Sequence, residues 1–341
     1  MIIKRELGKT GIIINRIGLG GIPIQRIIKE EAVCVINYAI DRGVNFIDSA
    51  RGYTCSESFI GEAIKSRRDE VYLATKSMAR TYEQMKEDID ISLNNFQTDH
   101  IDLYQMHNVK SKEEFNRIIS DGGAYKALLE AKQCGKIRHI GITSHSQDLL
   151  KWLIDSEYCV LVETIQFPIN FIEDNGVELL GLAKEHDLGT IAMKPLGGGA
   201  IDNGRIAIKW LLNQDALDVA IPGIGDKKEI DDIFSLDNLV ISQDEHMYTS
   251  KLKEDLKGDF CHRCGYCMPC TKGIDIPGTF TLERYYLYYN LKDWAITRYF
   301  SSKVLPSACI NCGKCVKKCP YELDIPNKLK KIVDLFEKGK N

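Results

Sequence analysis

The sequence predicts an α/β fold: a (β/α)8 TIM barrel preceded by a hairpin, followed by a second, mostly helical domain. Two observations lead to this fold class. Short apolar runs recur about every 25 to 30 residues in the first part of the chain, with helical patterns between them. Such alternation is typical of parallel strands joined by right-handed crossovers. Eight closely spaced cysteines, by contrast, all lie beyond residue 260 and mark a separate module.

The length of the chain allows both parts. Its 341 residues, 44% of them hydrophobic, suit one domain of about 250 residues and a smaller appendage. We expect the barrel to occupy residues 1–240, a charged helical connector residues 241–258, and the cysteine-rich domain residues 259–341.

The first element is a hairpin. Apolar runs at residues 2–7 and 12–15 flank a Gly-Lys-Thr-Gly turn. A hairpin at this point can close the bottom of the barrel.

Eight strand candidates follow, and their number decides between barrel and open sheet. Eight strand–helix units close a barrel rather than leaving a doubly wound sheet. Between strands the apolar spacing becomes helical; Met85, Ile89, Leu93 and Phe96 fall on one face, which we interpret as core packing. The strand candidates are residues 16–20, 45–49, 71–76, 101–107, 137–143, 164–167, 190–195 and 219–222.

Four ionisable side chains are expected at one rim of the barrel. Asp48, Lys76 and His107 each end a strand candidate, and Tyr53 follows the first of them. The carboxyl ends of barrel strands share the rim where barrel enzymes carry out their chemistry. A lone buried Lys or His is more often structural, but four such groups together favour proton delivery to a substrate oxygen. Lys76 would lower the pKa of Tyr53, Asp48 would hold Lys76, and His107 would orient the substrate oxygen.

The motifs around these residues resemble the aldo-keto reductase family. They are Asp48-Ser-Ala-Arg-Gly-Tyr53 with Ser56-Glu57, Ala-Thr-Lys76-Ser, and the run that ends in His107. Further matches extend the resemblance over roughly residues 1–240. It implies a barrel with the catalytic tetrad Asp48, Tyr53, Lys76 and His107, a nicotinamide dinucleotide lying across the rim, and a small carbonyl substrate.

The resemblance also implies cofactor contacts. Thr143, Ser144 and Gln166 match the residues that hold the nicotinamide carboxamide. Lys194, Leu196 and Gly198 match the pyrophosphate loop, where backbone N–H groups and a lysine suit an anion; on its own, the glycine run there would be a flexible turn.

Two positions depart from the family pattern. Met193 stands where a tyrosine usually stacks on the nicotinamide, so we expect a weaker platform. Gly223 and Glu229 stand where a basic residue usually meets the 2′-phosphate of NADPH. An acid near the ribose favours NADH, although Lys227 and Lys228 are close enough in sequence to compensate.

The cysteines form two runs whose spacing predicts two [4Fe–4S] clusters. Three cysteines at every third position and a fourth before proline are the spacing of bacterial-type clusters. Structural zinc sites are the alternative, but zinc needs no such triplets. In two-cluster proteins the fourth cysteine of each run binds the other cluster; the spacing before Cys270 departs from the pattern. We therefore pair Cys261, Cys264 and Cys267 with Cys319, and Cys309, Cys312 and Cys315 with Cys270.

Each cysteine run is followed by a matching tail, and an aromatic insert at residues 279–300 separates the two halves. The helical spacing of the insert resembles a helical two-cluster ferredoxin module, in which the aromatic side chains form core and shield the clusters. A hydride carries two electrons and a cluster accepts one. The clusters are therefore structural, deliver single electrons to the substrate or a flavin, or connect the chain to an electron-carrier protein. The sequence carries no flavin signature.

Charge and hydropathy argue against a nucleic-acid-binding protein and against a membrane protein. The 45 basic and 48 acidic residues are well mixed, which gives no electrostatic footprint for nucleic acid. The N-terminus lacks the long apolar stretch of a signal peptide, and no run of about 18 apolar residues suggests a membrane span, so we expect a cytoplasmic protein. The leading hypothesis is an NAD(P)H-dependent carbonyl oxidoreductase. The alternative is an electron-transfer or redox-sensing protein whose barrel binds a nucleotide or partner.

Overall fold

The structure, a computed structural model, describes residues 3–256, 260–261, 265–289, 291–319 and 321–338. The chain divides into two units. The first consists of Met1–Gly197 and Asn203–Ile241, and the second of Gly198–Asp202 and Ser242–Asn341.

The first unit begins with an antiparallel hairpin of β1 (Lys4–Glu6) and β2 (Ile13–Asn15). Gly8 in its turn has φ +53, and a Cβ there would lie 2.2 Å from the backbone nitrogen of Gly189, so only glycine fits. Apolar side chains of the hairpin region are buried against residues of the barrel strands. The cluster comprises Leu7, Ile12, Ile14, Phe46, Ala74, Leu103, Ile191, Val219 and Ile221. The expected hairpin is confirmed, and its apolar side closes the barrel interior.

Eight parallel strands form the barrel wall in chain order. They are β3 (Leu19–Gly20), β4 (Phe46–Asp48), β5 (Tyr72–Ser77), β6 (Ile101–Met106), β7 (Ile137–Thr143), β8 (Thr164–Pro168), β9 (Gly189–Met193) and β10 (Val219–Ala220). Each strand pairs with the next, and parallel bridges from Ile17 to Ala220 and from Gly20 to Gly223 join the first strand to the last. The predicted (β/α)8 barrel is confirmed.

Two of the predicted strands shorten to two residues each in the structure. Of the run at 16–20, only Leu19–Gly20 forms the strand β3; Ile17 makes the bridge to Ala220, and the Arg16 guanidinium donates to the carbonyls of Leu212, Gln214 and Leu217. The run at 219–222 shortens to β10, where Pro222 has no N–H to donate to a ladder.

Helices connect the strands and cover the outside of the barrel. In α3, Met85, Ile89 and Phe96 are buried and Leu93 packs beside them, as the apolar stripe predicts. The helices of this unit are α1 (Lys29–Asp41), α2 (Ser56–Ile64), α3 (Tyr82–Phe96), α4 (Lys112–Ile119), α5 (Ala124–Gln133), α6 (Gln147–Ile154), α7 (Val177–Glu185), α8 (Gly204–Leu212) and α9 (Lys227–Phe234).

The second unit is helical among its described residues. Its helices are α10 (Gln243–Asp255), α11 (Ile276–Tyr288), α12 (Lys292–Phe300), α13 (Lys314–Lys318) and α14 (Ile325–Val333), followed by one π turn, Asp334–Lys338. A capping box between Ser242 and Glu245 starts α10. Within the described residues no helix has the length and apolar character that crossing a membrane requires.

The internal repeat has a structural explanation. Asp275 caps α11 by accepting a hydrogen bond from the Gly278 N–H, and Asp324 caps α14 in the same way. A proline stands in the first turn of each helix. Each cysteine run therefore ends at the capped start of a helix, and the two helices pack together in one apolar core.

Candidate active site

Asp48 and Lys76 form a buried ion pair at the rim. Asp48 ends β4, Lys76 lies near the end of β5, and both are at most 2% exposed. The Lys76 ammonium donates to Asp48 Oδ1 and, at 2.7 Å, to the carbonyl oxygen of Ser49. Parallel register brings Gln105 of β6 opposite Lys76, and its Nε2 donates to Asp48 Oδ2 at 3.2 Å. Every oxygen of the buried carboxylate therefore has a donor.

For each residue of this pair, burial favours the neutral form and the ion pair favours the charged form. Burial raises the pKa of the Asp48 carboxyl above its usual value, and Lys76 opposes that shift. Burial likewise lowers the pKa of Lys76, and Asp48 opposes it. Removing either partner leaves the other without the compensation that makes its charge tolerable.

Tyr53 and His107 lie beside the ion pair. Lys76 Nζ is 5.3 Å from the centre of the Tyr53 ring. The rings of Tyr53 and His107 meet edge to face, with their centres 6.2 Å apart. The structure therefore brings together all four side chains that the sequence places at the rim.

His107 is held in its neutral form. Burial, together with the charges of Lys76 and Arg80, lowers its pKa to about 3. Its buried Nδ1 has no hydrogen-bond partner among the described residues. A neutral imidazole can orient an oxygen by donating a hydrogen bond, but it carries no extra proton to transfer near neutral pH.

A buried glutamate that sequence analysis left without a role supports the Tyr53 loop. Glu57 is 1% exposed and accepts hydrogen bonds from Arg51, Thr75, Ser92 and Asn95 at 2.6–3.0 Å. In the sequence, this residue is indicated by its position directly after Ser56 in the motif that resembles the family.

Arg51 connects this glutamate to the rim. Its side chain pairs with Glu57, and its backbone N–H donates to the Lys76 carbonyl at 3.0 Å. Since Arg51 lies two residues before Tyr53, these contacts restrain the loop that carries the phenol.

The residues expected at the carboxamide lie at the ends of β7 and β8. Thr143 Oγ1 accepts from the Asn108 N–H at 2.8 Å, and Ser144 Oγ donates to the Val109 carbonyl at 2.7 Å. Gln166 is 1% exposed, and its Oε1 has no hydrogen-bond partner within the described part of the chain. A buried amide oxygen without a donor fits a ligand that offers an N–H, as a carboxamide does.

The expected pyrophosphate loop follows β9. Met193 ends the strand half-buried, and Lys194 has φ +56, a left-handed conformation. The Lys194 carbonyl accepts from the Gly197 N–H at 2.9 Å, which closes a tight turn around Leu196. Gly198 also has a positive φ and falls in the short segment that groups with the second unit.

An arginine that the sequence analysis did not foresee approaches the segment expected at the ribose. Glu229 accepts from the Gly225 N–H at 2.6 Å, and Arg26 lies 3.7 Å from its other carboxylate oxygen. Gly223 bridges to Gly20 of β3. The acid therefore caps this loop and carries a nearby counter-charge from the loop after β3, which no spacing in the sequence could reveal.

Cysteines of both runs meet around one cavity of the second unit. Cys267, Cys270, Cys309, Cys312 and Cys315 line it. Four of these five are the set expected for one cluster, including the fourth ligand from the other run.

Of the three remaining expected ligands, the structure describes two. Cys261 is buried, Cys319 is half-buried, and Cys264 lies outside the described residues. Within the described ranges, no three His, Cys, Asp or Glu side chains converge on the position of a single metal ion. The five thiols that line the cavity are one more than a four-coordinate zinc site binds.

Comparisons with known proteins agree with both units. The Aldo/keto reductase family pattern matches residues 16–206, and a 4Fe-4S dicluster domain pattern matches residues 260–324. An uncharacterized oxidoreductase of Bacillus subtilis, YqkF, is 29% identical over 58% of this chain and 66% of its own length. The aldo-keto reductase YhdN of the same organism is 31% identical over 62% of this chain and 67% of its length. The chain thus spans about two thirds of these relatives.

Solved structures show the same barrel. The aldo-keto reductase AKR11C1 from Bacillus halodurans, in its holo form, aligns with a TM-score of 0.62. The alignment covers 74% of this chain and 96% of that one at 22% identity, which establishes a common fold.

Proposed function

Since the chain belongs to the aldo/keto reductase family and carries a 4Fe-4S dicluster domain, we propose that it is an NAD(P)H-dependent oxidoreductase that reduces an aldehyde or ketone to an alcohol. Tyr53 is the proton donor in this proposal. The observation that carries it is the buried Lys76 ammonium, 5.3 Å from the Tyr53 ring and anchored by Asp48.

The ammonium stabilises negative charge on the phenol oxygen as its proton leaves. Asp48 and the Ser49 carbonyl hold Lys76 in position for this role. His107, neutral at physiological pH, donates a hydrogen bond to the carbonyl oxygen and orients it toward Tyr53. Because the imidazole carries no extra proton, the phenol is the acid.

A bound nicotinamide dinucleotide would supply the hydride for the carbonyl carbon. Gln166, whose Oε1 has no partner among the residues that the structure describes, and the Thr143–Ser144 pair would hold the carboxamide. Lys194 and the loop through Leu196 to Gly198 would hold the pyrophosphate, and Met193 would face the ring. We propose NADH as the preferred form, because Glu229 occupies a position that the resemblance assigns to the 2′-phosphate contact, and a carboxylate repels a phosphate; Arg26 offsets that charge in part.

The second unit would hold two [4Fe–4S] clusters. In this proposal Cys309, Cys312, Cys315 and Cys270 bind one cluster, and Cys261, Cys264, Cys267 and Cys319 bind the other. Such clusters exchange single electrons, so an electron-carrier protein is a partner of this unit in addition to the carbonyl substrate. Clusters and scattered reduced cysteines suit a reducing cytoplasm.

The test is Tyr53→Phe in the full-length, cluster-loaded protein under anaerobic conditions. A panel of aldehydes and ketones is screened with NADH and with NADPH by absorbance. We expect turnover to fall by a factor of about 10²–10⁴ while dinucleotide binding, measured by fluorescence, stays unchanged. Tyr38→Phe is the control, since the Tyr38 hydroxyl bonds Asp231 on the helical surface.

Undiminished turnover in Tyr53→Phe would contradict the proposed chemistry. Dinucleotide binding without reduction of any carbonyl would favour the electron-transfer alternative. The protein would then be incubated with NADH alone. Electron paramagnetic resonance (EPR) would show whether the clusters become reduced, that is, whether electrons pass from the nucleotide to the clusters.

A further inference from the structure

The cavity lined by cysteines in the second unit opens at an unusual surface. Cys312 is exposed beside it, and Ile310, which also lines the cavity, is 55% exposed. Lys272 and Lys314 line the same cavity and are exposed to solvent. This cysteine-lined cavity therefore has an apolar side chain and two cations at its edge, which a site enclosed in a protein core would not expose to solvent.

More lysines continue this surface. Lys317 and Lys318 follow Lys314 on α13, within one helical turn, and both are exposed. Lys318 Nζ reaches the carbonyl of Met268, next to Cys267 of the cavity. We call Lys272, Lys314, Lys317 and Lys318, with Ile310 and Cys312, the lysine surface.

The charge of this surface is not neutralised from within the described parts of the chain. None of its four lysines forms an ion pair with a carboxylate there, whereas Lys328 of the same unit pairs with Glu283. The sequence from residue 294 to residue 321 contains no acidic residue. Four uncompensated cations in one region create a positive potential that attracts anionic partners at low salt.

We propose that the lysine surface is the docking site of a small, acidic, one-electron carrier protein. The inference rests on the cluster assignment in the proposed function and goes beyond it by naming the surface and the charge of the partner. Charge complementarity accelerates and orients the encounter, and Ile310 supplies an apolar centre within a charged rim. A bound cluster would accept one electron from the reduced carrier, so that the cluster would be reduced and the carrier oxidised, with no bond formed or broken.

A protein partner fits better than a nucleic acid or an anionic membrane, because the positive charge surrounds the ligands of a redox centre. Electron exchange requires close approach to that centre. A nucleic acid or an anionic membrane would bind by neutralising the lysines alone, and such binding does not require an exposed cluster ligand such as Cys312.

The experiment uses the full-length, cluster-loaded protein under anaerobic conditions. The probe is a purified acidic bacterial ferredoxin, with a basic cytochrome c as the probe of opposite charge. Dissociation constants are measured by isothermal titration calorimetry at low and at high salt. The variant Lys272→Glu/Lys317→Glu reverses charge on the lysine surface. Lys65→Glu/Lys151→Glu makes the same change of charge at exposed positions of the first unit.

We expect ferredoxin to bind the unmodified protein and to lose about tenfold or more in affinity on adding salt. The lysine-surface variant should lose a similar factor at low salt, and the control variant less than about twofold. The rate of cluster reduction by reduced ferredoxin should fall in parallel. Iron content and the EPR signal after dithionite reduction show that each variant retains its clusters.

Equal weakening in both variants, or equally tight binding of cytochrome c, would overturn the docking proposal. Tighter binding to DNA or to anionic vesicles than to ferredoxin would overturn the choice of partner. If the unmodified protein holds no iron, the cluster assignment itself fails, and the two failures are thereby distinguished.

Discussion

The buried ion pair between Lys76 and Asp48 allows a quantitative prediction that needs no knowledge of the substrate. Lys76→Met removes the charge and keeps much of the side-chain volume. Asp48 then keeps hydrogen bonds from the side chains of Gln105 and Gln166 but, among the described residues, has no counter-charge in contact with it. Removing one partner of a buried pair costs about 3–5 kcal/mol of the free energy of unfolding. We expect this loss at pH 7.

The double variant Asp48→Asn/Lys76→Met should recover most of that loss, because no unpaired charge remains. The penalty in Lys76→Met should also depend on pH. Without Lys76, burial keeps the pKa of Asp48 in the folded chain far above its value in the unfolded chain. The folded state is therefore favoured while Asp48 is protonated at low pH, and the free energy of unfolding falls as pH rises. Two pH units correspond to about 2.7 kcal/mol for one proton, so most of the penalty should disappear by pH 5.

The assay is anaerobic guanidinium denaturation at pH 7 and pH 5, followed by tryptophan fluorescence and circular dichroism. Asp231→Asn is the control, because it breaks the exposed pair with Arg42 and should cost less than about 1 kcal/mol. The reasoning is refuted if the single and double variants unfold at the same denaturant concentration at pH 7.

Three further predictions concern other parts of the molecule. The pKa of His107 is about 3 in the folded chain and about 6.5 in the unfolded one, so His107 costs stability as pH falls below about 6.5; His107→Gln should reduce the drop in melting temperature between pH 7.5 and pH 5, and an unchanged drop would contradict the burial argument. Gly141→Ala should destabilise by about 1–3 kcal/mol, because its Cβ would lie 2.2 Å from Thr164 Oγ1; Gly181→Ala, where a Cβ meets nothing within 4 Å, is the control in the same denaturation assay. Cys270→Ser should remove about half of the bound iron, whereas Cys134→Ser should remove none; iron analysis with equal values for both would disprove the assignment of Cys270.

Several features of the active site were predictable because they depend on short-range pattern. Each barrel strand is an apolar run, and parallel strands bring their carboxyl ends to one rim. Asp48, Lys76 and His107 could therefore be placed together from their positions in the runs alone. Tyr53 could be placed there as well, because it lies five residues after Asp48, in the loop that leaves the same rim.

Other features depend on contacts between segments distant in sequence. Gln105 reaches Asp48 because the register of β5 and β6 sets it opposite Lys76, and Arg26 meets Glu229 because closure of the barrel brings the loops after its first and last strands together. Neither contact leaves a spacing that a reader of one sequence can detect.

The sequence by itself determined the number of barrel units, the order of the rim residues and the two cysteine runs, since periodicity and spacing are local properties of the chain. Only the tertiary structure decided the burial that lowers the pKa of His107, the support of the Tyr53 loop by Glu57, and the approach of Arg26 to Glu229. The physical reason is that burial, electrostatic coupling and the convergence of distant segments arise only when the chain is packed, so residues near in space need not be near in sequence.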